Sequence, residues 1–149
     1  MVSATLVTPG LSADEKNWAM LCHLAAFSSV VGVPFGHIVG PLVVWMWKRG
    51  ESPFVDRHGR ESLNFHLSFT LYTALATLLL FAPFVLGFFS LSRAGGPNAS
   101  VLPLVGSLLF VVAVYGSIAL TGLICTVIAA IKAANGEHYT YPFAFPFLQ

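Results

Sequence analysis

Charge is confined to a few short stretches of this chain: its thirteen Lys, Arg, Asp and Glu residues leave uncharged runs of 31 residues (Asn17 to Trp47), 31 residues (Ser62 to Ser92) and 38 residues (Ala94 to Ile131). Each run exceeds the roughly 20 residues that a helix rising about 1.5 Å per residue needs to cross a hydrocarbon core of about 30 Å. Lipid offers backbone groups no hydrogen-bond partner, so runs of this kind must be helical. Only 9% of residues are charged and the mean hydropathy is +0.81, whereas soluble domains carry about 25% charged residues. The expected fold class is therefore an all-α integral membrane protein, with almost the whole length consumed by spans and no separate soluble domain.

Punctuation within the runs predicts a four-helix transmembrane bundle. Residues 1–11 read as a flexible tail and 12–137 as a single membrane domain. Ser12 with Glu15 three positions later forms a capping box, so a first helix should start there and run to about Val31, with Trp18 at the interface. No basic region precedes an apolar stretch at the start, which argues against a cleaved signal peptide and for a retained anchor. Gly32-Val33-Pro34-Phe35-Gly36 breaks the run. The second helix, from about Gly36 to Trp47, would be about 18 Å long and further interrupted at Gly40-Pro41, so it crosses a bilayer only with difficulty.

Lys48-Arg49-Gly50 closes that helix, with Trp45 and Trp47 marking a water interface. Ser52 as N-cap and Pro53 as first helical residue then open a short amphipathic turn on the membrane surface, in which Asp56 and Arg60, and Arg57 and Glu61, are spaced i,i+4. A third helix is expected from about Glu61 to Leu91, kinked at Pro83, and a fourth from about Val101 to Ala134, ended by Asn135-Gly136. Residues 93–100 form the turn between them. Residues 138–149 alternate aromatic residues with Pro142 and Pro146 and read as an extended interfacial tail, with docking back on the bundle or on a partner as the alternative.

Basic residues set the orientation. If the first two helices form a hairpin, Lys16, Lys48, Arg49, Arg57, Arg60 and Lys132 share one side and only Arg93 lies on the other, which places the populated side and both termini in the cytoplasm, across a bacterial inner membrane. If they form one bent span, Lys16 joins Arg93 outside.

The third helix carries His66, Thr70, Thr73 and Thr77 at i, i+4, i+7 and i+11, one polar face in an apolar segment. Such a stripe either packs against neighbouring helices or, with the broken first hairpin, lines a polar path for a channel or carrier. The fourth helix shows small residues four apart, Ala113, Ser117 and Thr121 and again Gly122, Thr126 and Ala130, suited to internal packing or to self-association with a second copy. His23 and His37 lack an acidic residue in any span to orient them and show no shared face, so no metal site is expected. His58 and His138 read as solvated loop residues, and Cys22 and Cys125 as small hydrophobes. No cofactor motif, catalytic triad, phosphate loop or basic-aromatic nucleic-acid stripe is present. Asn98-Ala99-Ser100 matches a glycosylation sequon but sits very close to the membrane.

Five blocks then carry a resemblance: Lys16-Asn17-Trp18-Ala19-Met20-Leu21-Cys22-His23-Leu24, Gly40-Pro41-Leu42-Val43-Val44-Trp45, Glu51-Ser52-Pro53-Phe54-Val55-Asp56, Glu61-Ser62-Leu63-Asn64-Phe65 and Ile131-Lys132-Ala133-Ala134-Asn135-Gly136-Glu137. In order over about Asp14 to Phe145, they resemble a family of small bacterial membrane proteins of unknown function grouped with the Tic-type import subunit of the chloroplast inner envelope. The resemblance implies a four-helix membrane domain with both termini on one side and a link to protein translocation, and it carries over no catalytic residue. The expected function is a small non-enzymatic subunit or accessory of a membrane assembly, its partners the bilayer and other membrane proteins. Its cytoplasmic contact surface would be Glu51, Asp56, Arg57, Arg60, Glu61 and Asn64, and its lateral contact the fourth helix.

Overall fold

The computed structural model describes residues 10–93 and 102–149. The expected N-terminal tail thus lies mostly outside the described residues, as do most of the 93–100 turn and the sequon at Asn98. The regular elements are helical: α1 Ala13–Leu24, continued by a 3-10 segment Ala25–Ser29, α2 Gly36–Lys48, α3 Pro53–Arg93 and α4 Leu102–Ala134. Two of these, α3 and α4, are long and apolar enough to cross a membrane, not the four expected. The reason is length: α1 has 12 residues and α2 has 13, or about 18 to 20 Å of α-helix against a core of about 30 Å.

α1 begins where the capping box places it, with both reciprocal bonds between Ser12 and Glu15 formed. Glu15 also accepts a 2.6 Å bond from the Ser52 hydroxyl. Ser52 therefore ties α1 to the start of α3. That hydroxyl first, then the backbone N–H and hydroxyl of Ser12, hold the Glu15 carboxyl below its ordinary value of 4.5. A carboxyl lowered in this way stabilises the fold above its unfolded value and loses the contribution as pH falls through its folded value. Glu15→Gln is accordingly expected to lower the thermal midpoint in detergent micelles at neutral pH, and the gap to the unaltered protein should narrow as pH falls through the lowered value of the Glu15 carboxyl.

The first helix was expected to reach Val31; it tightens into 3-10 geometry at Ala25 and turns at Gly32 (φ 90°) and Phe35 (φ 52°). Ser28 and Ser29 are poor helix formers because their hydroxyls bond the backbone locally. Here Ser28 Oγ donates to the Gly36 carbonyl and Ser29 Oγ to that of Ala26. α2 passes through Pro41 without the expected interruption. Pro41 costs one helical bond, and it is buried in the interior. The hairpin closes on two glycines: a Cβ at Gly36 would meet the Ser29 backbone, and one at Gly40 the Ala25 carbonyl.

The amphipathic surface turn is not a separate element. Residues from Pro53 onward are the first turns of one 41-residue helix, α3. Its inner face is buried rather than lying on a membrane surface, with Phe54, Val55, His58, Gly59 and Ser62 in the interior. α4 ends as expected, Gly136 adopting φ 79° with Lys132 paired to Glu137 at 2.8 Å.

The chain divides into two compact units, residues 1–69 with 122–149, and residues 70–121. The first holds the core: Ala19, Cys22, Phe54, Val55 and Ala133 form one cluster, and Phe65, Cys125, Ala129 and Tyr141 another. Both cysteines are free and buried, as expected of small hydrophobes. All charged residues but Arg93 belong to this unit. The second unit is the middle of the α3–α4 pair, its large apolar side chains mostly exposed, from Leu78, Leu79 and Phe81 to Leu109 and Phe110.

Candidate functional site

A buried polar cluster lies inside the first unit, where three segments meet. α1 turns Ala19, Cys22 and His23 inward at helical spacing, and α3 does the same with Phe54, Val55, His58 and Ser62. The chain beyond α4 brings His138 and Tyr141. His23 and His58 are 0% and 1% exposed, so the expectation of a solvated loop for His58 is corrected: it stands on the buried face of α3. Tyr141 Oη lies 2.9 Å from His23 Nδ1, and His23 Nε2 lies 2.9 Å from His58 Nδ1.

Burial first, and the neighbouring imidazoles of His58 and His66 second, push His23 well below its ordinary value of 6.5. A neutral imidazole offers one donor and one acceptor. The assignment that satisfies the row has Tyr141 donating to His23 Nδ1 and His23 Nε2–H donating to His58 Nδ1. Burial also raises Tyr141 above the ordinary phenol value, so its proton stays in place as donor. His138 stacks on His58 with ring centroids 5.9 Å apart, and burial, then Arg57, lower it. Among the described residues no three His, Cys, Asp or Glu side chains are placed to hold a metal ion.

The row fastens the C-terminal tail. Tyr141 also stacks on Phe65 at 4.0 Å between centroids. Two residues one turn apart on α3 hold the rest: Asn64 exchanges two bonds with the backbone of Leu148, at 2.8 and 3.1 Å, and Ser68 Oγ accepts from the Phe145 N–H at 2.8 Å. The tail thus docks back on the helices, where the plain reading of an extended interfacial segment did not place it. Pro142 and Pro146 keep it out of helical geometry, leaving these backbone groups available to α3.

The residues singled out for function are placed as follows. Glu51 is exposed and pairs with Lys48; Asp56 pairs with Arg60 at 2.6 Å and accepts from Trp45 Nε1; Arg57 is exposed; Glu61 is half-buried; Asn64 is taken up by the tail. Of the polar stripe, His66 is buried in the first unit, its ring 6.2 Å from that of His37, while Thr70, Thr73 and Thr77 belong to the second. Thr77 donates to the Thr73 carbonyl and is hydrogen-bonded to Tyr115. Thr77 and Tyr115 also line an apolar cavity of about 270 Å³ with Leu80, Phe84, Leu108 and Val111. On α4, Thr126 and Ala130 face the interior and Gly122 meets Phe69, whereas Ala113, Ser117 and Thr121 are exposed.

The family whose model matches this chain, over residues 14–148, is described as the magnetosome magnetite crystal formation protein family (MamF/MmsF). This corrects the resemblance to the Tic-type family, whose five blocks all fall within the matched stretch, and removes the support it lent to protein translocation. No curated protein and no solved structure matches the chain.

Proposed function

The chain belongs to the magnetosome magnetite crystal formation family, and on that footing we propose that it is a non-enzymatic membrane protein of the magnetosome, acting as an accessory of the assembly that forms magnetite crystals. The observation that carries this reading is the separation of charge: all charged residues but Arg93 fall in one unit, and the other unit, with Arg93 as its single charge, is drawn from the two helices apolar enough to span. Such a chain is an anchor with a polar head. Six of its seven basic residues lie in the head, which favours a cytoplasmic head and cytoplasmic termini.

An organising role is favoured over catalysis because the cluster best equipped for chemistry is closed by the chain's own tail. Both ring nitrogens of His23 are taken up within the cluster, one by Tyr141 and one by His58. The outward groups of the head, Glu51 and Arg57 with the Asp56–Arg60 pair beside them, form the proposed contact surface for other proteins of the assembly. The exposed row Ala113, Ser117 and Thr121 is the proposed lateral contact. A conduit is not part of this proposal, since the Thr77 hydroxyl is spent on Thr73 and Tyr115.

The test is deletion of the gene in a magnetite-forming cell, followed by electron microscopy of the crystals. Deletion should leave magnetosome membranes in place with crystals altered in size, number or habit, and a copy carrying Glu51→Lys with Arg57→Glu should reach the membrane without restoring them. Crystals unchanged by deletion would overturn the proposal. Full rescue by the charge-reversed copy would remove the contact surface from it.

A further inference from the structure

The α1–α2 hairpin presents a problem of cover. From Asn17 to Trp47 it carries no charge, and its turn exposes large apolar side chains to an unusual degree: Val30 is 80%, Val31 82% and Phe35 70% exposed. An apolar groove of about 580 Å³ runs up its side between Phe27, Val31, Val39 and Val43. Exposed apolar surface of this extent marks an interaction site.

Three observations identify what covers it. The first is a gradient of polarity along the hairpin. At its open end two of the chain's three tryptophans meet cations: Lys48 Nζ lies 4.8 Å over the Trp18 ring and the Arg49 guanidinium 5.1 Å over Trp45, and the third, Trp47, is exposed next to Lys48 in the chain. Aromatic rings with Lys and Arg at one level, and bare aliphatic side chains at the other, reproduce the order of headgroup and acyl chain. Two further charged groups lie at that same open end, Glu15 bonded to Ser52 and Asp56 bonded to Trp45.

The second is the state of the turn's polar groups. The N–H groups of Val30, Gly32, Val33, Gly36, Ile38 and Val39 bond to carbonyls within the hairpin, Pro34 has none, and the hydroxyls of Ser28 and Ser29 are turned onto the backbone, so most of the turn's donors are satisfied internally, those of Val31 and Phe35 apart. A water-facing loop has no need of this, whereas lipid demands it. The third is depth. Trp47 to Phe35 is about 18 Å of helix, which falls short of crossing a core of about 30 Å and reaches past the middle of its first leaflet.

We infer that the α1–α2 hairpin is a re-entrant element: it enters the leaflet adjoining the charged end of its unit, turns within the acyl chains at residues 30–35, and returns to the side it came from. Its occupant is lipid. The close approach of Gly36 and Gly40 to the 3-10 segment makes the element thin, as small residues do between membrane helices. The inference is independent of any role in crystal formation.

The full chain in vesicles of phosphatidylethanolamine and phosphatidylglycerol supplies the test. Without any substitution, quenching of the three tryptophans should be stronger by lipids brominated near the headgroup than by lipids brominated near the chain end. For the tip, a spin label on Val31→Cys should be relaxed by oxygen and not by an aqueous nickel chelate. The same cysteine should resist an impermeant maleimide from either side of intact vesicles, whereas Glu51→Cys reacts from one side; the buried native thiols give the blank. Relaxation by nickel, or maleimide reaction from the side opposite Glu51, would overturn the inference. So would strong spin–spin coupling at low protein-to-lipid ratio, which would seat a second copy on the tip.

Discussion

Replacing Gly40 with alanine should unfold the α1–α2 hairpin, at a cost of about 3 kcal/mol or more. The added methyl would fall on the Ala25 carbonyl and 2.7 Å from Ser28 Oγ. Neither neighbour is the flexible end of a long side chain. Ala25 is fixed by the 3-10 segment and Ser28 by its bond to the Gly36 carbonyl, so the only relief is separation of the two helices. Gly116→Ala is the matched control. It lies in the interior of α4 with no atom within 4 Å of the new methyl, and should gain about 0.5 to 1 kcal/mol from helix propensity. Thermal unfolding in micelles followed by circular dichroism reads both. A Gly40→Ala protein as stable as the unaltered one would mean that the hairpin is not closed as described.

That contrast also explains what a reading of residues alone could recover. Gly40 announced itself only as half of a breaker, Gly40-Pro41, because glycine next to proline lowers helix propensity. What the residue does is set by a neighbour fifteen positions earlier. Gly36 and Gly40 are four apart, the same small-residue spacing that was recognised on α4, and this was the available signal for a tight hairpin. Signals that act within a few residues were legible: the Ser12–Glu15 capping box, the break at 32–36 and the Gly136 cap all lie where chain-local chemistry puts them. The start of α3 was misjudged for the converse reason. The alternating charges from Asp56 to Glu61 read as a surface turn, but Phe54, Val55, His58 and Ser62 between them form an inward face that only packing against α1 reveals.

The candidate site was the least legible part. His23 and His58 are 35 residues apart and Tyr141 lies 118 from His23, so no periodicity joins them. Each looked unremarkable by itself, a histidine in an apolar helix, one in a charged stretch, and a tyrosine in a tail. The uncharged runs did point to helices apolar enough to cross a membrane, which α3 and α4 are. They could not show that the first run, long enough to cross, is folded in two, because hydropathy counts residues without regard to the direction in which the chain turns.

Truncating Tyr141 to alanine should release the tail and destabilise the first unit by about 3 to 5 kcal/mol, the range for removing a buried aromatic side chain. Tyr141 is 3% exposed, stacks on Phe65 and donates to His23. Its loss would leave a cavity beside Phe65 and a buried imidazole nitrogen with nothing to accept from, which adds a desolvation penalty to the lost contacts. Tyr141→Phe separates the two contributions, since the ring keeps its stacking and only the hydroxyl goes; a loss of about 1 to 2 kcal/mol is expected. Asn64→Leu attacks the same tail at its far end by removing both bonds to Leu148. If the tail is held as one strap, Tyr141→Ala and Asn64→Leu should each make the Phe143–Ala144 bond more open to chymotrypsin in micelles, while Tyr141→Phe stays protected. Cleavage after Phe143 at equal rates in all four proteins would mean that the tail is not fastened by these groups, and the histidine row would then be a packing feature of the helices alone.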